Sequence, residues 1–400
     1  MKAWTIFHPL GCLRSALRRS LFSCLERIAA TDDFRQIVSA QLRLHNALVL
    51  PPEVAAGGLG EAPYPGLGRM RSEEAVVAAP RIVFITGRYR SGSTLLWNLF
   101  RRVPGTTAYY EPFNERRWFD PRTRGDLVDR THLNVDAYWR EYDDLEHLGD
   151  LFQEDWKFRH LYMDRTALSP GMRSYIEILA QTATGKPVLQ FNEMDFRLPW
   201  LRANFPGCRI LHVYRHPRAQ WHSTMRSRQY DFRLLSLGSF EAHDGFYLLR
   251  WARDLRHYFP FLDVRPDTHP YKLFYQIWRL SHAYGERYAD FSVSLERLVA
   301  NPEGVIPALF AMAGIESFDL AKASSIVQGN EAGTDDPEIV ELMRRMESEA
   351  DGDVERVRSA GGLLHANRHP QRDHPKPAIG HTPEWSTPSE SRVSLSGIGS

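Results

Sequence analysis

Four hundred residues can bury a large core, enough for one sizeable α/β domain with appendages. The 49 acidic and 50 basic residues leave a formal net charge of +1, which excludes a global drive toward nucleic acid or an anionic membrane; any anion site must be local. Cys12, Cys24 and Cys208 are spaced for neither a zinc site nor a disulfide framework, and no apolar run is long enough to span a bilayer, so a cytoplasmic chain is expected.

Residues 1–50 open the chain as a basic helical segment. Within residues 1–30, Arg14, Arg18, Arg19 and Arg27 alternate with Leu13, Leu17, Leu21, Phe22 and Leu25, the pattern of an amphipathic helix. Such a helix suits peripheral contact with a membrane surface, an organellar transit segment, or packing on the domain. Residues 51–79, rich in Gly, Pro and Ala, read as a linker. A domain over residues 80–325 follows, then a charged helical extension over 326–360 and a flexible polar tail over 361–400.

The domain begins with Arg81-Ile82-Val83-Phe84-Ile85-Thr86, a short β-branched run that predicts a buried parallel strand. Gly87 follows, and Leu95, Leu96, Leu99 and Phe100 then recur at helical spacing from Ser93 to Arg102. Further strands are expected over Lys186–Phe191, Arg209–Tyr214 and Phe291–Ser294, with helices over Trp200–Phe205, Phe274–Tyr288 and after Pro302. Alternating strands and helices predict an α/β fold, a doubly wound central parallel sheet with flanking helices. Ligands of such sheets sit at the carboxyl ends of the strands.

The segment between the first strand and its helix carries the clearest chemistry. Gly87-x-x-x-x-Gly92-Ser93-Thr94 nearly matches a nucleotide-triphosphate loop, which has Lys where Ser93 stands. Its glycines let the backbone curl so that several N–H groups point inward, and the following helix adds the positive end of its dipole. The cation sits earlier, at Arg90, with hydroxyls at Ser91, Ser93 and Thr94. That placement suits a phosphosulfate better than a more highly charged triphosphate.

Tyr89-Arg90-Ser91-Gly92-Ser93-Thr94-Leu95 resembles the first signature of the sulfotransferases that use 3′-phosphoadenosine-5′-phosphosulfate (PAPS), in the Arg-bearing version of the carbohydrate and tyrosyl-protein enzymes. The resemblance implies a P-loop-like sulfotransferase fold and PAPS as co-substrate, with 3′,5′-ADP as product and no metal. Arg215-His216-Pro217, with Ser223 eight residues after Arg215, is similar to the family's second signature, a pair that holds the 3′-phosphate. His216 departs from it, since the family usually has Asp there. Leu295-Glu296-Arg297-Leu298 before Pro302 and Asn204-Phe205-Pro206-Gly207 also resemble family segments.

Tyr109-Tyr110-Glu111-Pro112-Phe113 resembles the Glu-Pro element of carbohydrate sulfotransferases and makes Glu111 the expected general base. The cytosolic aryl enzymes carry a strand-end Lys with a His two residues later. The corresponding stretch here, Gln190-Phe191-Asn192, has neither, and leaves Lys157 or Lys186 as substitute cations without positional support. His212, His216 and His222 are rival bases placed too near Arg215. Backbone N–H groups from Ser91 to Thr94 are therefore expected on the 5′-phosphate, Arg90 on the leaving phosphate, and Arg215 with Ser223 on the 3′-phosphate. The acceptor is expected to be a hydroxyl, with a lean toward carbohydrate or glycolipid. Trp118, Trp139, Trp156 and Arg159 are candidates to line its site, and Arg368, Arg372, Lys376 and Trp385 of the tail to fold over the nucleotide. The rival readings are a P-loop small-molecule kinase, against which the missing Lys at position 93 speaks, and a non-catalytic anion-binding member of the same fold.

Overall fold

The computed structural model describes residues 71–72, 82–226, 228, 230–327 and 336–366. Arg81, the N-terminal amphipathic segment and the tail residues Arg368, Arg372, Lys376 and Trp385 lie outside them.

In chain order the elements are β1 (Arg71–Ser72), β2 (Val83–Thr86), α1 (Ser93–Arg101), β3 (Thr106–Tyr110), α2 (Pro170–Thr182), β4 (Lys186–Phe191), α3 (Leu198–Asn204) and β5 (Arg209–Tyr214). Then come α4 (Pro217–Met225), α5 (Leu237–Phe240), α6 (Leu248–Leu255), α7 (Pro270–Tyr288), β6 (Phe291–Ser294), α8 (Leu295–Ala300), α9 (Pro302–Met312), α10 (Leu320–Ile326) and α11 (Pro337–Ala366). The sheet order is β1-β6-β5-β2-β4-β3. Five strands run parallel, and β1 joins the edge antiparallel through Arg71 opposite Ser292.

The parallel sheet with flanking helices is the α/β architecture expected from the alternating pattern. Strand β2 is buried along its whole length, as a central parallel strand must be. Its neighbours are β4 and β5; the connection leaving β2 runs toward β3 at one edge of the sheet, and the connection leaving β5 runs toward β6 on the other side. The carboxyl ends of β2 and β5 thus form the switch point at which open α/β sheets bind ligands. The loop after β2 and Arg215 after β5 both open there.

Two strands lie where none was expected. Strand β3 pairs with β4 from Thr106 opposite Lys186 to Tyr110 opposite Gln190, and it carries Glu111 to the same sheet edge as the phosphate loop. The other is β1, inside the Gly/Pro-rich stretch.

Candidate functional site

The loop after β2 is shaped by two glycines. A Cβ on Gly87 would stand 2.3 Å from the carbonyl oxygen of Val213 in β5, so only glycine allows so close an approach. Gly92 takes φ 98° at the N-cap of α1, and a Cβ there would meet Leu295 Cδ1 at 2.7 Å. The first turn of α1 holds no acidic residue, so its amide groups and dipole are uncompensated by a side chain. The Ser91 hydroxyl is buried without a partner, an orphan that an anion in the loop would satisfy.

Arg90, with φ 67°, reaches across to α4, where its Nε donates to Ser223 Oγ at 3.0 Å. Its other nitrogens face Asp129 at 3.4 Å and Thr131 Oγ1 at 3.2 Å. The expected first and second anchors thus meet in space. A cavity of about 800 Å³ lies between them, lined among others by Arg90, Gly92, Thr94, Arg215, Arg218 and Ser223. Burial lowers the Arg215 guanidinium, opposed by Glu296. Pro217 opens α4, and His216 caps it by accepting from the Arg218 N–H at 3.3 Å.

Ser93 occupies the place of the triphosphate-loop lysine. Its hydroxyl donates to Asn192 Oδ1 at 3.0 Å, which also accepts from Gln190 Nε2 at 3.0 Å. The Asn192 amide then donates through Nδ2 to Glu111 Oε1 at 2.5 Å. On the other side Asn114 Nδ2 donates to Glu111 Oε2 at 2.6 Å. Glu111 is 7% exposed, follows β3 directly and has φ 40°. Both carboxylate oxygens are thus held by amide donors in a strained turn beside the loop. Asn192, itself held by Gln190, orients the carboxylate.

The substitute cations are resolved by position. Lys186 starts β4, and its ammonium donates to the carbonyls of Ala313 and Gly314 at 2.9 and 2.8 Å, at the end of the strand away from Glu111. Lys157 is 3% exposed, pairs with Glu115 and stands 4.8 Å from the Tyr247 ring centre. Burial lowers its ammonium, and the nearby charges of Glu193 and Glu111 push it back up. Lys157 is therefore the cation on the Glu111 side.

Glu193 was missed in the sequence. It is 1% exposed, and the Tyr89 hydroxyl donates to it at 2.6 Å. Burial raises its carboxyl, opposed by Lys157 and reinforced by Glu111. Its signal was available only as an acidic residue just past a strand end. The three histidines named as rival bases lie on β5, at the start of α4 and within it. His212 lies inside the sheet, bonded to Ser292 Oγ at 2.8 Å and lowered by burial to about 3, and His216 is lowered to about 4. His222, on α4, lines the cavity.

Of the aromatic candidates for an acceptor wall, Trp118 and Trp156 are core residues, packed on Tyr138 and on Phe113 and Tyr175. Trp139 lies under Arg124, and Arg159 is exposed beside Asp155. The aromatic groups beside Glu193 are instead Tyr89 and Tyr247, with ring centres 6.3 Å apart.

The sequence model of the Sulfotransferase family matches residues 80–319, the span that holds the loop, both anchors and Glu111. The chain belongs to the sulfotransferase family. The crystal structure of sulfotransferase STF9 from Mycobacterium avium is similar at 12% identity and a TM-score of 0.36, covering 68% of this chain and 76% of that one. No curated protein matches the chain. In this sulfotransferase no described helix is long and apolar enough to cross a membrane.

Proposed function

We propose that this sulfotransferase takes the sulfuryl group of PAPS and transfers it to an acceptor hydroxyl, with Glu111 as general base. The observation that carries the reading is one continuous arrangement. Arg90 and Ser223 meet at 3.0 Å over the cavity, and Ser93 at its floor connects through Asn192 to Glu111.

The N–H groups at the start of α1 receive the 5′-phosphate, and the buried Ser91 hydroxyl gains an acceptor. Arg215 and Ser223 hold the 3′-phosphate, where a guanidinium fork and a hydroxyl suit a phosphate monoester. Glu111 accepts the acceptor's proton as the oxygen–sulfur bond forms. The bond from sulfur to the bridging oxygen breaks, and Arg90 stabilises the charge released on the 5′-phosphate. Most of the rate enhancement is assigned to alignment and charge stabilisation, as in phosphoryl transfer.

The acceptor is assigned to the carbohydrate or glycolipid class. Tyr247, half-buried beside the Lys157 ammonium, offers a ring for a sugar. Ser93, committed to Asn192, counts against the kinase reading. Calorimetry with 3′,5′-ADP and with ATP·Mg²⁺ tests the donor: 3′,5′-ADP binds at least tenfold tighter, and the reverse order would reject it. Transfer of labelled sulfate from PAPS across a panel of neutral and acidic sugars tests turnover. Binding without any transfer would leave the non-catalytic member of the fold as the correct reading.

A further inference from the structure

The cavity extends beyond the part of the chain that matches the family. Residues 80–319 carry the match, yet Ile326 of α10 and Val340 of α11 also line the wall. The wall divides by chemistry. Arg90, Arg215, Arg218 and Arg226 supply cations, whereas Leu133, Val135, Val299, Ile326 and Val340 offer only apolar surface. Phosphates gain nothing from the second set, while a flat heterocycle loses water there at a profit.

Helix α11 is fixed against the domain by a single stripe. Met343, Ala350 and Val354 are buried, and Glu347 between them accepts from Arg218 at 2.9 and 2.6 Å and from the Tyr271 hydroxyl at 2.5 Å. Asp351 adds a pair with Arg279 at 2.9 Å, and Asp353 one with Lys272 at 2.8 Å. Val340 continues the stripe one turn earlier, since 340, 343, 347, 350 and 354 share a helix face. Unlike Met343 it is only half-buried, because the cavity lies opposite. Arg218, the residue that Glu347 clamps, belongs to the cavity wall itself. The helix is thus tied to the site at two points, one ionic and one apolar.

We propose that Val340, together with Ile326, closes the base end of the donor site, so that helix α11 selects a purine nucleotide for this enzyme. The inference rests on the PAPS reading and adds the residues that choose the base.

The test compares 3′,5′-ADP with uridine 3′,5′-bisphosphate, which carries the same two phosphates on a smaller base. Calorimetry on the full chain is expected to give the wild type at least a tenfold preference for 3′,5′-ADP. Val340→Trp fills the base end and brings the two ligands within about threefold of each other, chiefly by weakening 3′,5′-ADP. Val340→Ala, a smaller change, gives an intermediate ratio. Thermal unfolding without ligand accompanies each variant, and the Ala variant carries the test should the Trp variant not fold. A ratio unchanged in both variants, or an equal loss for both ligands, would overturn the assignment of Val340 and leave the donor reading intact. A wild type that binds neither bisphosphate would reject both.

Discussion

Glu111 sits between two amide groups that each donate to one of its oxygens, Asn192 at 2.5 Å and Asn114 at 2.6 Å. Its position is therefore set without help from a substrate; glutamine can replace only one of the two accepting oxygens, so its NH2 group displaces one asparagine donor while the side-chain shape is kept. Glu111→Gln is expected to lower sulfate transfer by a factor of about 10² or more, the usual worth of a positioned base. Its affinity for 3′,5′-ADP should stay within about twofold; full turnover in this variant would move the base elsewhere. Lys157 offers a second residue-scale prediction. Buried Glu193 and Glu111 share its charge, so Lys157→Met should cost about tenfold in kcat, about 1.4 kcal/mol. Lys157→Arg should recover much of this, whereas an uncharged variant with wild-type kcat would remove Lys157 from the site. The anchors Arg90, Arg215 and Ser223 were legible because each follows a strand by a fixed step. Lys157 and Asn192 were named without a place, and Glu193 not at all, since Asn192 meets Glu111 across 81 residues and Glu193 meets Tyr89 across 104. No local period encodes such a contact.

At the scale of elements, the proposed donor site is built on the junction of β2, its loop and α1, where Gly92 is constrained by both its backbone angle and its neighbour. Gly92→Ala adds a methyl where Leu295 already stands and forces an L residue to φ 98°. The expected cost is about 1–3 kcal/mol of stability, seen as a lower thermal midpoint, together with loss of 3′,5′-ADP binding in calorimetry. An alanine variant that binds normally would show that the loop tolerates another conformation. Strands β4, β5 and β6 fall on the residues read from the sequence, because buried parallel strands are continuous apolar or β-branched runs. Strand β3 was missed. Thr106-Thr107-Ala108-Tyr109-Tyr110 is β-branched and aromatic and follows Pro104-Gly105, but it is only five residues long and runs directly into the Glu-Pro motif, so its tyrosines read as part of that motif rather than as a strand. Strand β1 has only two residues, too few for any alternation to appear. The aromatic segment after Glu111 was misjudged for a related reason: composition marks tryptophans as ligand-ready, while Trp118 and Trp156 complete the core.

Across the whole molecule, stability should depend on acidity through two core imidazoles. His212 and His282 are buried, with ring centres 6.4 Å apart, and burial lowers them to about 3 and about 4. The unfolded chain binds protons on these groups below pH 6.5 while the folded chain does not. Their contribution is therefore complete above about pH 6.5 and is lost as the pH falls toward 4, at about 3 kcal/mol from each imidazole for shifts of this size. Buried Asp195, raised to about 6 by burial, acts in the opposite sense and recovers part of the loss over the same range. The thermal midpoint should fall between pH 6.5 and 4, and His282→Gln should flatten the fall; a midpoint independent of pH would contradict the burial of both imidazoles. Ser93 links the two halves of this molecule. The residue that separates its loop from those of triphosphate enzymes is also the first member of the bonded series that aims Glu111. A change to lysine there would set a cation beside Asn192 and Glu111 and disturb the carboxylate in the same stroke. In the proposed reading, donor choice and acceptor activation are thus coupled through one hydroxyl, and Ser93→Lys is expected to impair both at once.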